Sequence, residues 1–174
     1  MEKIKIGISK KKIILLLLGG IGFVFFSILF IIKPTDFVNS IIHSQKMIFI
    51  AGIAGLIFFG LGIIMLFIKL FDKNPGLIID EEGIIDNTNS GSVGFIKWSD
   101  ITEVTTKKIA STELILLQVK NPEEYISKAN RLKKLSLKQN INNYGTPITL
   151  TSVVLQCSFN ELEEIILESY KKYK

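Results

Sequence analysis

Two stretches near the start of the chain, Ile13 to Ile32 and Met47 to Ile68, contain no charged residue. As helices rising 1.5 Å per residue they would measure roughly 30 and 33 Å, against a bilayer hydrocarbon core of about 30 Å. A chain with two such runs is expected to fold first as a transmembrane hairpin, and every other feature is read relative to that membrane. Residues 1–71 are predicted to hold the N-terminal tail and the hairpin, with helices at 13–32 and 47–68. Residues 72–174 suffice for one further small domain.

Charge follows the same division. Residues 1–71 carry eight lysines against Glu2 and Asp36, whereas residues 72–174 carry thirteen basic and fourteen acidic side chains. The basic excess therefore belongs to the membrane part. A nucleic-acid protein concentrates basic charge on its folded domain beside a reading motif, and neither is present, so no nucleic-acid partner is expected. The first apolar run exceeds the usual signal-peptide core of about 7–15 residues, and Phe30-Ile31-Ile32-Lys33 offers no small-residue cleavage site. It reads as a retained helix. Lys3, Lys5, Lys10, Lys11 and Lys12 precede it and Lys69 and Lys73 follow the second run, while the intervening loop has only Lys33 and Lys46. The positive-inside rule then puts both termini in the cytoplasm. Lysine outnumbers arginine twenty to one, a bias typical of AT-rich bacterial genomes, so the expected location is the bacterial inner (cytoplasmic) membrane. Cys157 is the only cysteine, which precludes an intramolecular disulfide and suits a reducing compartment.

Gly20 and Ser27 lie two turns apart on the first helix, and Ala51, Gly55 and Gly62 fall within about 40° of one another on the second. Small residues on one face let backbones approach closely, so these five are expected to pack the two helices together in preference to a homo-oligomer seam. Neither helix carries an ionisable group, which favours an anchor over a conducting path. In the loop, Phe37, Val38, Ile41 and Ile42 have helical spacing with Thr35 or Asp36 as N-cap, predicting a short interfacial helix. His43, the only histidine, sits there with no second metal ligand nearby and reads as an ordinary interfacial residue.

Beyond the Asn74-Pro75-Gly76 turn the pattern changes to short apolar alternations. Strands are predicted at 77–80, 84–87, 93–98, 101–109 and 114–120, a five-strand meander broken by Glu81-Glu82-Gly83 and Asn89-Ser90-Gly91. Asn121-Pro122-Glu123-Glu124 supplies a cap, an N1 proline and first-turn acids for a helix reaching about Leu137. A strand at 147–154 follows Tyr144-Gly145. Ser158 or Asn160 then caps an amphipathic helix whose Leu162, Ile165, Ile166 and Tyr170 share a face.

The segment Gly94-Phe95-Ile96-Lys97-Trp98-Ser99-Asp100-Ile101-Thr102-Glu103-Val104 resembles the "aliphatic, x, Trp, x, Asp, Ile, x, x, aliphatic" stretch of bacterial pleckstrin-homology-like domains. The run from Asn74-Pro75-Gly76-Leu77 through Gly83-Ile84 and Trp98 to Asn121-Pro122 and Gly145-Thr146-Pro147-Ile148 is similar to an uncharacterised family of bacterial two-span membrane proteins. The resemblance implies an α+β membrane protein in which a two-helix transmembrane hairpin precedes a pleckstrin-homology-like antiparallel β domain with a C-terminal helix. It carries no catalytic residues to transfer. Residues 121–145 form an insertion where a compact domain of that kind would have a short loop.

Candidate chemistry is sparse. Asp80, Glu81, Glu82 and Asp86 cluster around one turn, but their spacing fails the calcium-loop template, so no metal is expected. Residues 72–174 contain no histidine to activate a serine or cysteine, and Cys157 reads as a small buried hydrophobe. No catalytic residue and no cofactor is expected. The most distinctive surface is the inserted helix, where Lys128, Arg131, Lys134 and Lys138 gather opposite Tyr125, Ala129 and Leu132, with Lys133 at the boundary and Lys107 and Lys108 as possible extensions. Each such charge near an acidic leaflet contributes about 1 kcal/mol. The expected role is noncatalytic binding or scaffolding at the membrane surface, with anionic lipid headgroups, a membrane protein or a second copy as partner. The alternatives are a small oligomeric pore or envelope-stress protein and a subunit of a membrane enzyme.

Overall fold

The computed structural model describes residues 3–38, 44–88, 91–110 and 112–174, with only the backbone of Leu132. It divides into two units, residues 10–72 and residues 1–9 with 73–174.

The first unit is a pair of long apolar helices, α1 (Lys10–Ile32) and α2 (Gln45–Leu70). Both are long and apolar enough to cross a membrane. Only 17% and 11% of their most apolar stretches are buried within the protein, whereas core helices of a soluble protein would be mostly covered. Each helix begins two or three residues before its apolar run. Ser44 caps α2 by accepting the Met47 N–H. Between the helices, Pro34–Phe37 forms a 3-10 turn and Val38 is extended, so the expected start of an interfacial helix at Thr35 or Asp36 is replaced by an earlier turn that proline initiates. The rest of that expectation, with His43, lies outside the described residues.

Three of the five expected packing residues meet the opposite helix. A Cβ on Gly20 would lie 3.1 Å from Ile63, and one on Gly55 would lie 2.5 Å from the Ser27 hydroxyl. Ala51 is exposed, and a Cβ on Gly62 would meet nothing within 4 Å. The closest approach falls instead at Gly52, where a Cβ would stand 2.8 Å from the Ser27 carbonyl oxygen and 2.9 Å from Phe30 and Ile31. A wheel places Gly52 one position from Ala51, and the crossing geometry, which a single helix does not encode, decides between them.

Among the described residues the second unit holds seven strands and three helices. β1 (Ile4–Ile6), β2 (Leu77–Ile79), β3 (Gly83–Asp86) and β4 (Gly94–Lys97) form one antiparallel sheet in that order. β5 (Ile101–Ile109), β6 (Thr112–Val119) and β7 (Ile148–Leu150) form another. The expected meander is thus split in two. A 3-10 turn at Trp98–Asp100 separates β4 from β5, removing Trp98 from the strand expected at 93–98. The indole packs into the core and its Nε1–H donates to the Asp80 carbonyl at 2.7 Å.

The larger correction is β1. Within the segment expected as a tail of the hairpin, Ile4–Ile6 pairs with β2 in the register Ile4↔Ile79, Lys5↔Ile78 and Ile6↔Leu77. Past β1 the chain runs beside the segment before the last helix, with Ser9 N donating to Val154 O, Gln156 N to Gly7 O, and an Ile8↔Leu155 bridge. The hairpin is therefore an insertion in the β1–β2 connection. Inward-facing Ile6, Leu77, Ile79, Ile84 and Ile96 of the first sheet share one core with Ile101, Ile115, Leu117, Ile148 and Leu150 of the second. Helix α5 (Phe159–Tyr173) adds Leu162 and Ile166 to this core and packs Ile165 and Tyr170 against it, as its spacing predicts. Ser158 and Glu161 cap it reciprocally.

The expected continuous helix after Asn121 breaks into α3 (Pro122–Lys128) and α4 (Arg131–Tyr144). Ala129 is extended, and the Asn130 side chain accepts the Lys133 N–H. An asparagine that caps a new helix competes with continuation of the old one.

Candidate functional site

The break in the helix reshapes the expected basic face. Lys128 sits on α3 and pairs with Glu124 at 2.6 Å, so it does not share a helix with Arg131, Lys134 and Lys138. Those three remain on α4, one turn apart. Arg131 and Lys138 are exposed and Lys134 is half-buried. Among them stands Leu135, 66% exposed, while the opposite side of the helix buries Leu137. Leu135 is the residue that a charge-based reading missed, because on a wheel it is the one apolar interruption of a basic face.

The other lysines are committed within the domain. Lys133 donates to the Ser92 carbonyl at 3.0 Å, and Lys108 pairs with Glu113 at 3.6 Å. Lys107 lies 5.4 Å from the Tyr144 ring centroid at the end of α4, a cation–π distance. Of the two expected extensions, Lys107 reaches α4.

Between α4 and the β3–β4 connection lies a polar pocket of about 170 Å³ lined by Asp86, Ser92, Ser136, Asn140 and Thr149 among others. A shallower recess of about 420 Å³ shares Asp86 and Ser92 and reaches Asn74, Ile78, Ile85 and Lys133. Asp86 is only 4% exposed. Its carboxylate accepts from the Thr88 N–H at 2.9 Å and from the Thr88 hydroxyl at 2.7 Å, so it organises the turn that follows β3. Nothing in the strand pattern signals this pocket, since it requires the insertion to fold back over the first sheet.

The acidic cluster is dispersed by the turn it decorates. Asp80 accepts from the Glu82 and Gly83 N–H groups at 3.1 and 3.3 Å and pairs with Lys3 at 3.1 Å. Burial pushes its carboxyl up, but the Lys3 ammonium and the two N–H donors outweigh this and hold it below the usual carboxylate range. Glu81 and Glu82 are exposed. Among the described residues no three His, Cys, Asp or Glu side chains gather as metal ligands do. Burial, reinforced by the neighbouring Asp100 carboxylate, raises Tyr125 well above an ordinary phenol, so its hydroxyl stays a donor to Asp100 at 2.9 Å. Cys157 is half-buried against the core.

No family model, curated protein or solved structure matches this chain. The functional reading therefore rests on geometry and charge.

Proposed function

We propose that the chain is a membrane-anchored, noncatalytic binding module whose globular unit works at the cytoplasmic face of a bacterial inner membrane. The carrying observation is the insertion of two membrane-length helices into the β1–β2 connection. The domain is attached at both ends of that insertion, directly at Ser9, whose N–H is held by the Val154 carbonyl, and through Phe71–Pro75. A link of five residues reaches at most about 18 Å. Such attachment raises the domain's effective concentration for any target in the leaflet. Two antiparallel sheets of four and three strands with a C-terminal helix packed on their shared core support the pleckstrin-homology-like reading. The lysine bias of the flanks supports cytoplasmic termini.

Within this reading α4 is the lipid-facing element. Arg131, Lys134 and Lys138 suit anionic headgroups, and Leu135 suits the interface beneath them. The test uses the full chain in nanodiscs, with an environment-sensitive fluorophore at Leu135→Cys in a Cys157→Ala background and nitroxide-labelled lipid as quencher. Quenching should strengthen when anionic lipid is included and weaken with added salt. Quenching indifferent to both would remove lipid contact from the proposal.

A further inference from the structure

β5 is the longest strand, yet it lies at an edge of its sheet, whose order is β5-β6-β7. Ile109 and Thr112 are the closing pair of its hairpin with β6. A two-residue connection makes such a pair hydrogen-bonded, and the alternation then turns the N–H and C=O groups of Thr105 and Lys107 toward β6. Those of Val104, Thr106 and Lys108 point outward. At the register shift between Ile101 and Glu103, the Thr102 carbonyl accepts from the Tyr170 hydroxyl at 2.7 Å and the Lys174 ammonium at 2.9 Å. The C-terminal helix thus closes one end of the edge. From Val104 onward, no strand among the described residues pairs with it. An open edge of this length is a template for another strand.

We propose that this edge pairs antiparallel with β5 of a second copy of the chain, about a two-fold axis at Thr105. Charge selects both the occupant and the register. With Thr105 opposite itself, Glu103 of each copy faces Lys107 of the other, in the pairs where side chains approach most closely. Neither Glu103 nor Lys107 has an ion-pair partner within the chain among the described residues, and Lys107 would exchange its 5.4 Å contact with the Tyr144 ring for the carboxylate. Centring the axis on Thr106 instead sets Glu103 against Ile109, and centring it on Lys107 sets lysine against lysine. In the Thr105 register Val104 and Thr106 exchange four main-chain hydrogen bonds between copies. Lysines on an edge strand usually deter pairing. Here Lys107 meets a carboxylate of the other copy while Lys108 keeps Glu113 of its own hairpin, which makes the edge selective for itself.

In such a non-hydrogen-bonded pair the two Thr105 Cα atoms would stand about 4.5 Å apart, within the roughly 4.4–6.8 Å that a disulfide spans. The experiment is mild oxidation of full-length Thr105→Cys in native membranes, in a Cys157→Ala background. The expected result is a disulfide-linked homodimer, severalfold more abundant than from Thr112→Cys at the hairpin tip. Glu103→Lys or Lys107→Glu alone should lower the yield severalfold, and the two together should restore it. The same charge variants with Cys157 retained, sized by analytical ultracentrifugation in detergent, keep the test open if the cysteine variant folds poorly. Equal cross-linking at both positions, capture of a different protein with no homodimer, or no recovery in the double charge variant would each overturn the proposal. None of these outcomes bears on lipid contact at α4.

Discussion

A methyl group at Gly52 would sit 2.8 Å from a carbonyl oxygen of the facing helix, too close for backbone to yield cheaply. Gly52→Val should therefore loosen the hairpin by about 1–3 kcal/mol, the usual cost of overpacking, while Gly62→Val should change it little. Unfolding of the full chain in mixed detergent micelles measures both. The Lys3–Asp80 pair gives a pH signature. Because the folded Asp80 carboxyl titrates below its unfolded value of 3.8, its contribution is full above about pH 4 and is lost as pH falls through the lower folded value. Lys3 is largely exposed, so the pair contributes less than about 1 kcal/mol. Lys3→Met should cost that amount near pH 6 and progressively less as pH falls below about 4, as read by denaturant unfolding. Tyr125 has the opposite sign. Its phenol titrates above the ordinary value of 10.0, so its contribution holds below about pH 10 and fades as pH rises. Tyr125→Phe should cost about 0.5–1.5 kcal/mol at neutral pH.

At the scale of elements, β1 has the largest consequence. Ile6 and Ile8 are 7% and 8% exposed, and burying an isoleucine side chain contributes about 1.5–3 kcal/mol. Removing residues 1–9 discards both and strips β2 of one of its two partners, against a typical domain stability of about 5–15 kcal/mol. Residues 73–174 alone should lose cooperative thermal unfolding by circular dichroism. The same segment preceded by residues 1–9 and a short glycine linker should retain it. A signal for the strand was present, since Ile4, Ile6 and Ile8 alternate with polar or small residues, but the segment reads as a tail when set beside the long apolar run that follows it. Its partner was not legible, because β1 and β2 are separated by the whole hairpin and no local pattern encodes a pairing across that distance. The division of α3 from α4 was partly legible in Asn130, whose capping preference signals a helix start. It was masked by helical spacing that continues through the break.

At the scale of the whole molecule, double attachment predicts that position and stability separate. Flexible insertions of about 20 residues after Ser9 and after Asp72 should leave thermal unfolding of the globular unit unchanged, because neither site lies within its core. They should weaken lipid quenching of a probe at residue 135 severalfold, since effective concentration falls with linker length. The two membrane-length helices, the strand-rich segment after them and the amphipathic last helix are written locally in the chain. Each is a local pattern of spacing and capping that stabilises one short stretch of chain. Long-range packing assigns residues 1–9 to the globular unit, divides the strands between two sheets, gives Gly52 the closest helix contact and leaves β5 at an edge. These depend on which distant surfaces meet, and the free energy that selects them comes from burial and hydrogen bonding shared between segments far apart in the chain.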